Sequence, residues 1–200
     1  MKSYRVILTA LTVMLLLSAC LRRPPKSLQL PEMPAESKET SDFRAAQWGM
    51  SWQEVRDGEK EGTLPTTDVT KEMGTLLVTD LLLEGVAVNA VYSFTEDALV
   101  SASYLVKEEY DDLSKCTTDY RSFRDSLCAR YGEPKLDAEN WNDEQWKDSP
   151  DDHAKALAAG HVSYIATWET EATKISLYLA GADDQIKHFS IGYIDKNAET

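Results

Sequence analysis

The sequence predicts an α+β domain built from two tandem units, each a helix followed by a three-stranded antiparallel meander, with the sheet packed by helices on one face. Three observations support this prediction. Two stretches of alternating β-branched and aromatic residues each contain three segments that are separated by turn signals. A helical apolar stripe lies between the stretches. A helix-start signal precedes the first stretch, so that helix and meander occur twice in the same order.

The first predicted unit begins with a short helix at Ser51. Ser51 and Glu54 have the spacing of a capping box, in which each residue satisfies a backbone donor of the other. Gly58 weakens the helix and Pro65 prevents its continuation. The three strands of this unit are predicted at Leu76 to Leu83, Val86 to Phe94 and Leu99 to Lys107, with turns at Glu84 to Gly85 and Thr95 to Asp97.

The second predicted unit begins with a longer helix, from about Leu113 to Arg130. Its apolar residues recur at intervals of three and four, which is the spacing of one helix face, and Gly132 and Pro134 end it. A further short helix, capped around Ser149, extends to Ala159. The three strands of this unit are predicted at His161 to Glu169, Ala172 to Ala180 and Ile186 to Ile194.

The two meanders show the same alternation when one is shifted by 87 residues onto the other. This shift places apolar residues on apolar residues, which predicts that the same face is buried in both units. The superposed pairs are Leu81 and Trp168, Val88 and Ile175, Ala90 and Leu177, Tyr92 and Leu179, Leu99 and Ile186, Ala102 and Phe189, and Tyr104 and Ile191.

The N-terminal segment has the organisation of a signal peptide. Lys2 and Arg5 precede an uncharged run from Val6 to Leu17, which is too short to span a bilayer as a helix. The residues that follow, Leu17-Ser18-Ala19-Cys20, resemble the lipobox of bacterial lipoproteins. The resemblance implies that residues 1–19 are removed and that Cys20 receives diacylglycerol and becomes the acylated first residue. The alternative is an ordinary secretory signal with a chance cysteine.

Residues 20–42 are predicted to form a lipid-anchored tether. Four of the seven prolines fall here, without a glycine or an aromatic residue. An extended chain of this length reaches about 60 Å. The lipoprotein resemblance implies the periplasmic face of the outer membrane, because Leu21 stands where an inner-membrane retention signal has Asp. The alternative is a proline-rich segment that docks on a partner.

The order of helix and meander, repeated once, resembles the α-β repeat proteins typified by the β-lactamase inhibitor protein and the small envelope lipoproteins of the SmpA/OmlA type. Trp48-Gly49-Met50-Ser51, followed by Glu54 and Val55, is also similar to the start of a family of uncharacterised bacterial lipoproteins. These resemblances imply binding through a sheet face or loops rather than catalysis. They carry no binding residue to this chain.

Charge and motif content exclude several functions. The chain has 34 acidic and 21 basic residues, a net charge of -13, and lacks the clustered cations that nucleic-acid binding requires. His153, His161 and His188 fall in different predicted elements, so no metal site is expected. Phosphate-loop and nucleophilic-serine motifs are absent from the sequence. We therefore predict no catalytic residue, metal or cofactor, and no nucleic-acid partner.

Cys116 and Cys128 are predicted to be free thiols. Twelve residues of continuous helix separate them by a rise of about 18 Å, which exceeds the span of a disulfide. Cys116 lies on the apolar stripe and is expected to be buried, whereas Cys128 lies at its edge and is the more reactive candidate. The alternative is that both residues simply fill the core.

The acidic segment from Glu133 to Asp152 has three interpretations. It is a solvated loop, a weak Ca²⁺ site, or a recognition loop in which Trp141 and Trp146 bind a partner, since aromatic residues among polar ones are typical of interfaces. The segment lacks the pattern of an EF-hand. Trp141 and Trp146 are therefore the candidate binding residues.

Two functions follow from these patterns. The first is a membrane-anchored, non-enzymatic protein-binding or scaffolding module of the bacterial envelope, whose partner is an unknown envelope protein. The alternative is a hydrolase that uses paired carboxylates on a cell-envelope substrate. A deep cleft with buried paired acids would favour the hydrolase, whereas a shallow face would favour binding.

Overall fold

The computed structural model describes residues 41–64 and 69–198 of the chain. The predicted signal peptide, the lipidation site Cys20 and all of the predicted tether except Ser41 and Asp42 lie outside the described residues. Across the two described ranges, no helix is long and apolar enough to cross a membrane.

Seven strands of the described chain form one antiparallel sheet. They are β1 (Thr75–Leu83), β2 (Val86–Thr95), β3 (Ala98–Val106), β4 (Leu136–Trp141), β5 (Val162–Glu169), β6 (Thr173–Ala182) and β7 (Gln185–Asp195). Their order in the sheet is β1-β2-β3-β7-β6-β5-β4. The third strands of the two meanders therefore pair in the middle of the sheet, where Ser103 lies opposite Gly192.

Four α-helices accompany the sheet: α1 (Trp52–Gly58), α2 (Val69–Glu72), α3 (Leu113–Tyr131) and α4 (His153–Ala158). Short 3-10 helices span Glu144–Trp146 and Pro150–Asp152. The predicted capping box is confirmed, because the Ser51 side chain accepts from the Glu54 amide while the Glu54 carboxylate accepts from the Ser51 amide. Helix α3 ends at Gly132, whose φ of 82° requires a residue without a β-carbon.

Tight turns with positive φ join the strands of each meander. Glu84 and Gly85 connect β1 to β2, Glu96 and Asp97 connect β2 to β3, and Asp183 and Asp184 connect β6 to β7, all with φ between 51° and 87°. Two consecutive left-handed residues form the turn whose twist matches that of an antiparallel hairpin. Outside glycine this conformation costs about 1–2 kcal/mol per residue, so the pairing of the strands stabilises it.

The core lies on one face of the sheet. Side chains along each strand alternate between buried and half-buried, and the buried set faces α1, α3 and α4. The segment before α1 also covers this face. Phe43 is 3% exposed, and its ring lies 5.2 Å from Tyr92, 4.8 Å from Tyr104 and 5.0 Å from Tyr193, measured between ring centroids. Trp48 donates a hydrogen bond of 2.9 Å from Nε1 to Thr173 Oγ1 and ties the segment to β6.

The prediction of two tandem units is wrong. The six predicted strands occur close to their expected positions, and the superposed positions of the two meanders face the core. They do not form separate units, however, because β3 and β7 hydrogen-bond and merge all the strands into one sheet. The halves also differ. The first half has helices of 7 and 4 residues, whereas the second half has a helix of 19 residues, the unpredicted edge strand β4 and the additional helix α4.

Candidate functional site

A cleft of about 330 Å³ lies between helix α3 and the edge of the sheet at β4. We call it the α3–β4 cleft. Its walls combine aromatic rings with charged groups of both signs. The lining residues are Thr117, Tyr120, Arg121, Arg124, Asp125, Asp137, Ala138, Glu139, Tyr164 and Leu179.

The periodicities of helix and strand bring these side chains together. Thr117, Arg121 and Arg124 recur at intervals of four and three along α3 and therefore share one side of the helix. On β4, Asp137 and Glu139 lie two residues apart and share a face of the sheet. They are opposite Ala166 and Tyr164 of β5, which are both buried on the helix side. The acids of β4 thus face the basic side of α3.

Arg124 and Asp137 form an ion pair in the cleft. The Arg124 guanidinium donates hydrogen bonds to Asp137 Oδ2 from Nε at 2.9 Å and from Nη2 at 2.5 Å. The hydrogen bonds to Asp137 raise the pKa of Arg124 above its ordinary value. Arg124 also contacts Asp125 at 3.3 Å. Its charge is therefore compensated within the protein.

Two other charges in the cleft have no partner of opposite sign in the part of the chain that the structure describes. Arg121 is exposed and forms neither a hydrogen bond nor an ion pair with any residue that the structure describes. Glu139 is exposed and accepts a hydrogen bond of 3.2 Å from Trp141 Nε1, but no described cation pairs with it. The cleft thus presents one uncompensated cation and one uncompensated anion.

Two buried tyrosines, Tyr120 and Tyr164, are among the residues that line the cleft. Tyr120 is 5% exposed, and its ring centroid is 5.4 Å from that of Tyr164. The Tyr120 hydroxyl is buried and has no hydrogen-bond partner within residues 41–64 and 69–198. Burial raises the pKa of this hydroxyl, and the Asp137 carboxylate raises it further. Burial also raises the pKa of Tyr164, with Glu139 adding to the effect and Arg121 opposing it. Both hydroxyls therefore remain protonated donors at neutral pH.

The carboxylates of the cleft are not a buried pair. The Asp137 side chain is 40% exposed and bonded to Arg124, and Glu139 is exposed on the edge strand. A carboxylic acid that donates a proton near neutral pH needs a desolvated site. Neither residue occupies one.

Trp141 and Trp146, the predicted binding residues, are both half-buried. Trp141 lies edge-on to His153 with centroids 4.8 Å apart, and Trp146 stacks on His161 at 5.5 Å with an interplanar angle of 13°. The segment around them is not one loop, because its first part forms β4 and the rest contains two 3-10 turns. Their role in binding stays a prediction.

Neither the cysteines nor the potential metal ligands of the described residues form a reactive thiol or a metal site. Cys116 and Cys128 are free, and Cys116 is fully buried. Burial raises the pKa of Cys116 to about 12 and also raises that of Cys128, so neither has the character of a thiolate nucleophile. Among residues 41–64 and 69–198, no group of three or more His, Cys, Asp or Glu side chains is placed to hold a metal ion.

A second cluster of charges is sealed inside the core. Arg44, with φ of 54°, donates from Nη2 to Glu59 at 2.6 Å, and their side chains are 8% and 3% exposed. The Tyr92 hydroxyl also donates to Glu59. Burial opposes the charge of Arg44, but the hydrogen bonds with Glu59 outweigh it and raise its pKa. Since solvent hardly reaches these groups, we assign the cluster a structural role.

The face of the sheet opposite the helices carries few charged side chains. We call it the open face. Leu105, Leu136 and Ile194 lie on it and are 42%, 47% and 39% exposed, so it holds three of the four large apolar side chains that are exposed in the described chain. Small residues occupy its centre, with Ser103, Gly192 and Ser176 side by side across three strands. Charged side chains occur at Lys174 and Glu169, near the strand ends.

Comparison of the chain with protein-family models, curated proteins and solved structures finds no match.

Sequence reasoning missed the α3–β4 cleft because its residues served other predictions. Tyr120 belonged to the apolar stripe of the long helix, and Asp137 and Glu139 belonged to the acidic segment. One signal was available. Thr117, Arg121 and Arg124 form a polar stripe at helical spacing beside the apolar one, and a polar stripe with two arginines contrasts with the acidic composition of the domain.

Proposed function

We propose that the chain is a lipid-anchored envelope protein that binds another protein through the open face and has no catalytic activity. In this proposal Cys20 carries the acyl chains at the periplasmic face of the outer membrane, and residues 20–42 hold the domain away from the bilayer. The lipobox-like residues before Cys20 support the anchor. The exposure of Leu105, Leu136 and Ile194 on one face supports the binding surface, and this observation carries the proposal.

The size of the open face suits a protein partner. Seven strands spaced about 4.8 Å apart, each about nine residues long at about 3.3 Å per residue, make a surface of roughly 900 Å². A stable interface buries about 800 Å² per partner. The small side chains at its centre allow the backbone of a partner to approach closely, since sheets pack face to face at about 10 Å.

Charge argues for a different protein rather than a second copy. Residues 43–200 contain 30 acidic and 15 basic residues, so two copies repel each other strongly. The partner that fits is an envelope protein with a flat, aliphatic surface and no strong negative charge. Binding of this kind requires no reaction. Asp137 is bonded to Arg124 and Glu139 is exposed, so the two do not form a buried carboxylate pair, which supports binding over the hydrolase alternative.

Site-specific crosslinking in intact envelopes tests the open face. A photo-crosslinking amino acid replaces Leu105 or Ile194 in the full chain, and Met73 serves as the matched control because it is 72% exposed but lies outside the sheet. We expect one discrete adduct from both open-face positions, its loss when Leu136→Asp is added, and no such adduct from Met73. Adducts of twice the chain mass would indicate a second copy and refute the proposed partner. Equal labelling from Met73 would refute the surface.

Two further variants separate the parts of the proposal. Cys20→Ser is expected to abolish lipid labelling and to release the chain from membranes, and retention of both would refute the anchor. The double variant Trp141→Ala, Trp146→Ala tests the predicted recognition residues. If this variant keeps the adducts formed from Leu105, the two tryptophans are not part of the interface.

A further inference from the structure

We propose that the α3–β4 cleft is a binding site for a small zwitterion, a molecule that carries a carboxylate and an ammonium group within a few ångströms of each other. Free amino acids and short peptides have this chemistry. The site lies on the helix side of the sheet and is independent of the open face. The inference therefore stands or fails separately from the proposed function.

The Tyr120 hydroxyl is the first observation that points to a ligand. Tyr120 is a lining residue of the cleft and is 95% buried, and its hydroxyl has no hydrogen-bond partner among the residues that the structure describes. A buried donor without a partner is destabilising in a folded protein, and most buried polar atoms are therefore paired. A ligand carboxylate in the cleft would accept this hydrogen bond. Tyr164 also lines the cleft, with its ring centroid 5.4 Å from that of Tyr120, and its hydroxyl offers a second donor.

The two uncompensated charges identify the ligand class. Arg121 is positioned to pair with a carboxylate, for which the guanidinium is well suited because it donates two parallel hydrogen bonds. Glu139 is positioned to pair with an ammonium group. Arg124 and Asp137 already neutralise each other. A simple anion would meet Glu139 and the negative field of the whole domain, whereas a zwitterion has no net charge and satisfies both free groups.

The dimensions limit the size of the ligand. A volume of about 330 Å³ lies at the small end of the 300–1,000 Å³ range of ligand pockets. It suits a single amino acid or a dipeptide better than a folded partner. Leu179 and the tyrosine rings provide apolar contact for a short side chain. Backbone donors and a metal are not needed for this mode of binding.

Calorimetric titration of the full-length protein with defined probes tests the site. The zwitterionic probes are L-alanine, D-alanine and the dipeptide alanyl-alanine. N-acetylalanine retains the carboxylate alone, and alanine amide retains the ammonium alone. We expect at least one zwitterion to bind and each blocked form to bind at least about 10-fold more weakly. Preference for alanine over the dipeptide would identify a free amino acid as the source, and the reverse would identify a peptide.

Three variants connect binding to the cleft. Arg121→Gln, Glu139→Gln and Tyr120→Phe are each expected to weaken binding about 10-fold, while the control Lys115→Gln, on the same helix outside the cleft, leaves it unchanged. Arg121 and Glu139 are exposed, so their variants are expected to fold normally. The inference is overturned if no zwitterion binds at about 10 mM, if N-acetylalanine binds as tightly as alanine, or if Arg121→Gln has no effect.

Discussion

Replacing Tyr120 with phenylalanine is expected to stabilise the free protein, although the residue is 5% exposed and lies in the core. The substitution keeps the ring, whose contacts with Tyr164 at 5.4 Å and Phe189 at 6.3 Å are preserved. It removes a hydroxyl that is buried and has no hydrogen-bond partner in the described chain. Such a group costs about 1–3 kcal/mol, because folding takes it from water without replacing its hydrogen bond. We expect a gain of about 1 kcal/mol, at the lower end of that range.

Tyr92→Phe is the matched control. Tyr92 is fully buried, but its hydroxyl donates to the buried Glu59 carboxylate. Loss of a hydrogen bond to a charged group costs about 1.5–3 kcal/mol. The same substitution is therefore expected to change the free energy of unfolding in opposite directions at the two positions. The comparison separates the effect of hydrogen bonding at the hydroxyl from the general effect of replacing tyrosine with phenylalanine.

Urea unfolding monitored by tryptophan fluorescence measures both effects on the full-length protein. A gain of about 1 kcal/mol raises the melting temperature by about 2–4 °C for a domain of this size. The reasoning is refuted if Tyr120→Phe lowers the free energy of unfolding, or if the two variants lose similar amounts. Either result would mean that the Tyr120 hydroxyl has a favourable interaction in the free protein, which would remove the main support for a ligand in the α3–β4 cleft.

Four other substitutions are checked by the same unfolding measurement. Gly181→Ala is expected to cost about 2–3 kcal/mol, because its β-carbon would lie 2.8 Å from a backbone Cα of α4, whereas Gly58→Ala, with open space around it, should gain about 0.5–1 kcal/mol. Glu96→Asn should gain about 0.5 kcal/mol or more, since φ at this turn position is 53° and asparagine tolerates the left-handed conformation. Hydrogen bonds from the Ser51 hydroxyl and amide lower the pKa of Glu54. Their stabilising effect is present above the ordinary pKa of glutamate and is lost as the pH falls through the lower folded value, so the stability difference between wild type and Ser51→Ala should narrow in acid.

The alternation of the sequence was sufficient to predict six strands and the long helix, because a half-buried strand and an amphipathic helix must each repeat their apolar residues at a fixed interval. It could not predict β4. This strand contains Asp137, Glu139 and Asn140, which have low strand propensity, and it exists because all six of its residues pair with β5. Charged residues on an edge strand also prevent association with other chains.

The arrangement of the strands depended on information that alternation does not contain. The alternation within each meander is the same whether the meander forms a sheet of its own or pairs with the other meander. In the structure the two meanders pair, because β3 and β7 hydrogen-bond along five residues in the centre of the sheet. The alternation also predicts only part of the candidate site. Tyr120 fits the apolar stripe of α3 correctly, and its position in the stripe predicts burial. Whether its hydroxyl finds a partner depends on β4 and β5, which come from distant parts of the sequence.

The point where the chain enters the domain bears on which surfaces are accessible. Phe43 is packed among three tyrosines of the helix side, and Asp42 is fixed nearby because its carboxylate accepts from the Trp48 amide at 2.9 Å. In the proposed arrangement, the tether joins the domain at this point, on the helix side of the sheet. The open face lies on the opposite side, so the proposed anchor at Cys20 leaves it unobstructed. The strong negative charge of the domain also opposes contact with an anionic bilayer. Both effects favour a partner that approaches the open face from beyond the tether, while the α3–β4 cleft remains accessible to small solutes on the side where the chain enters.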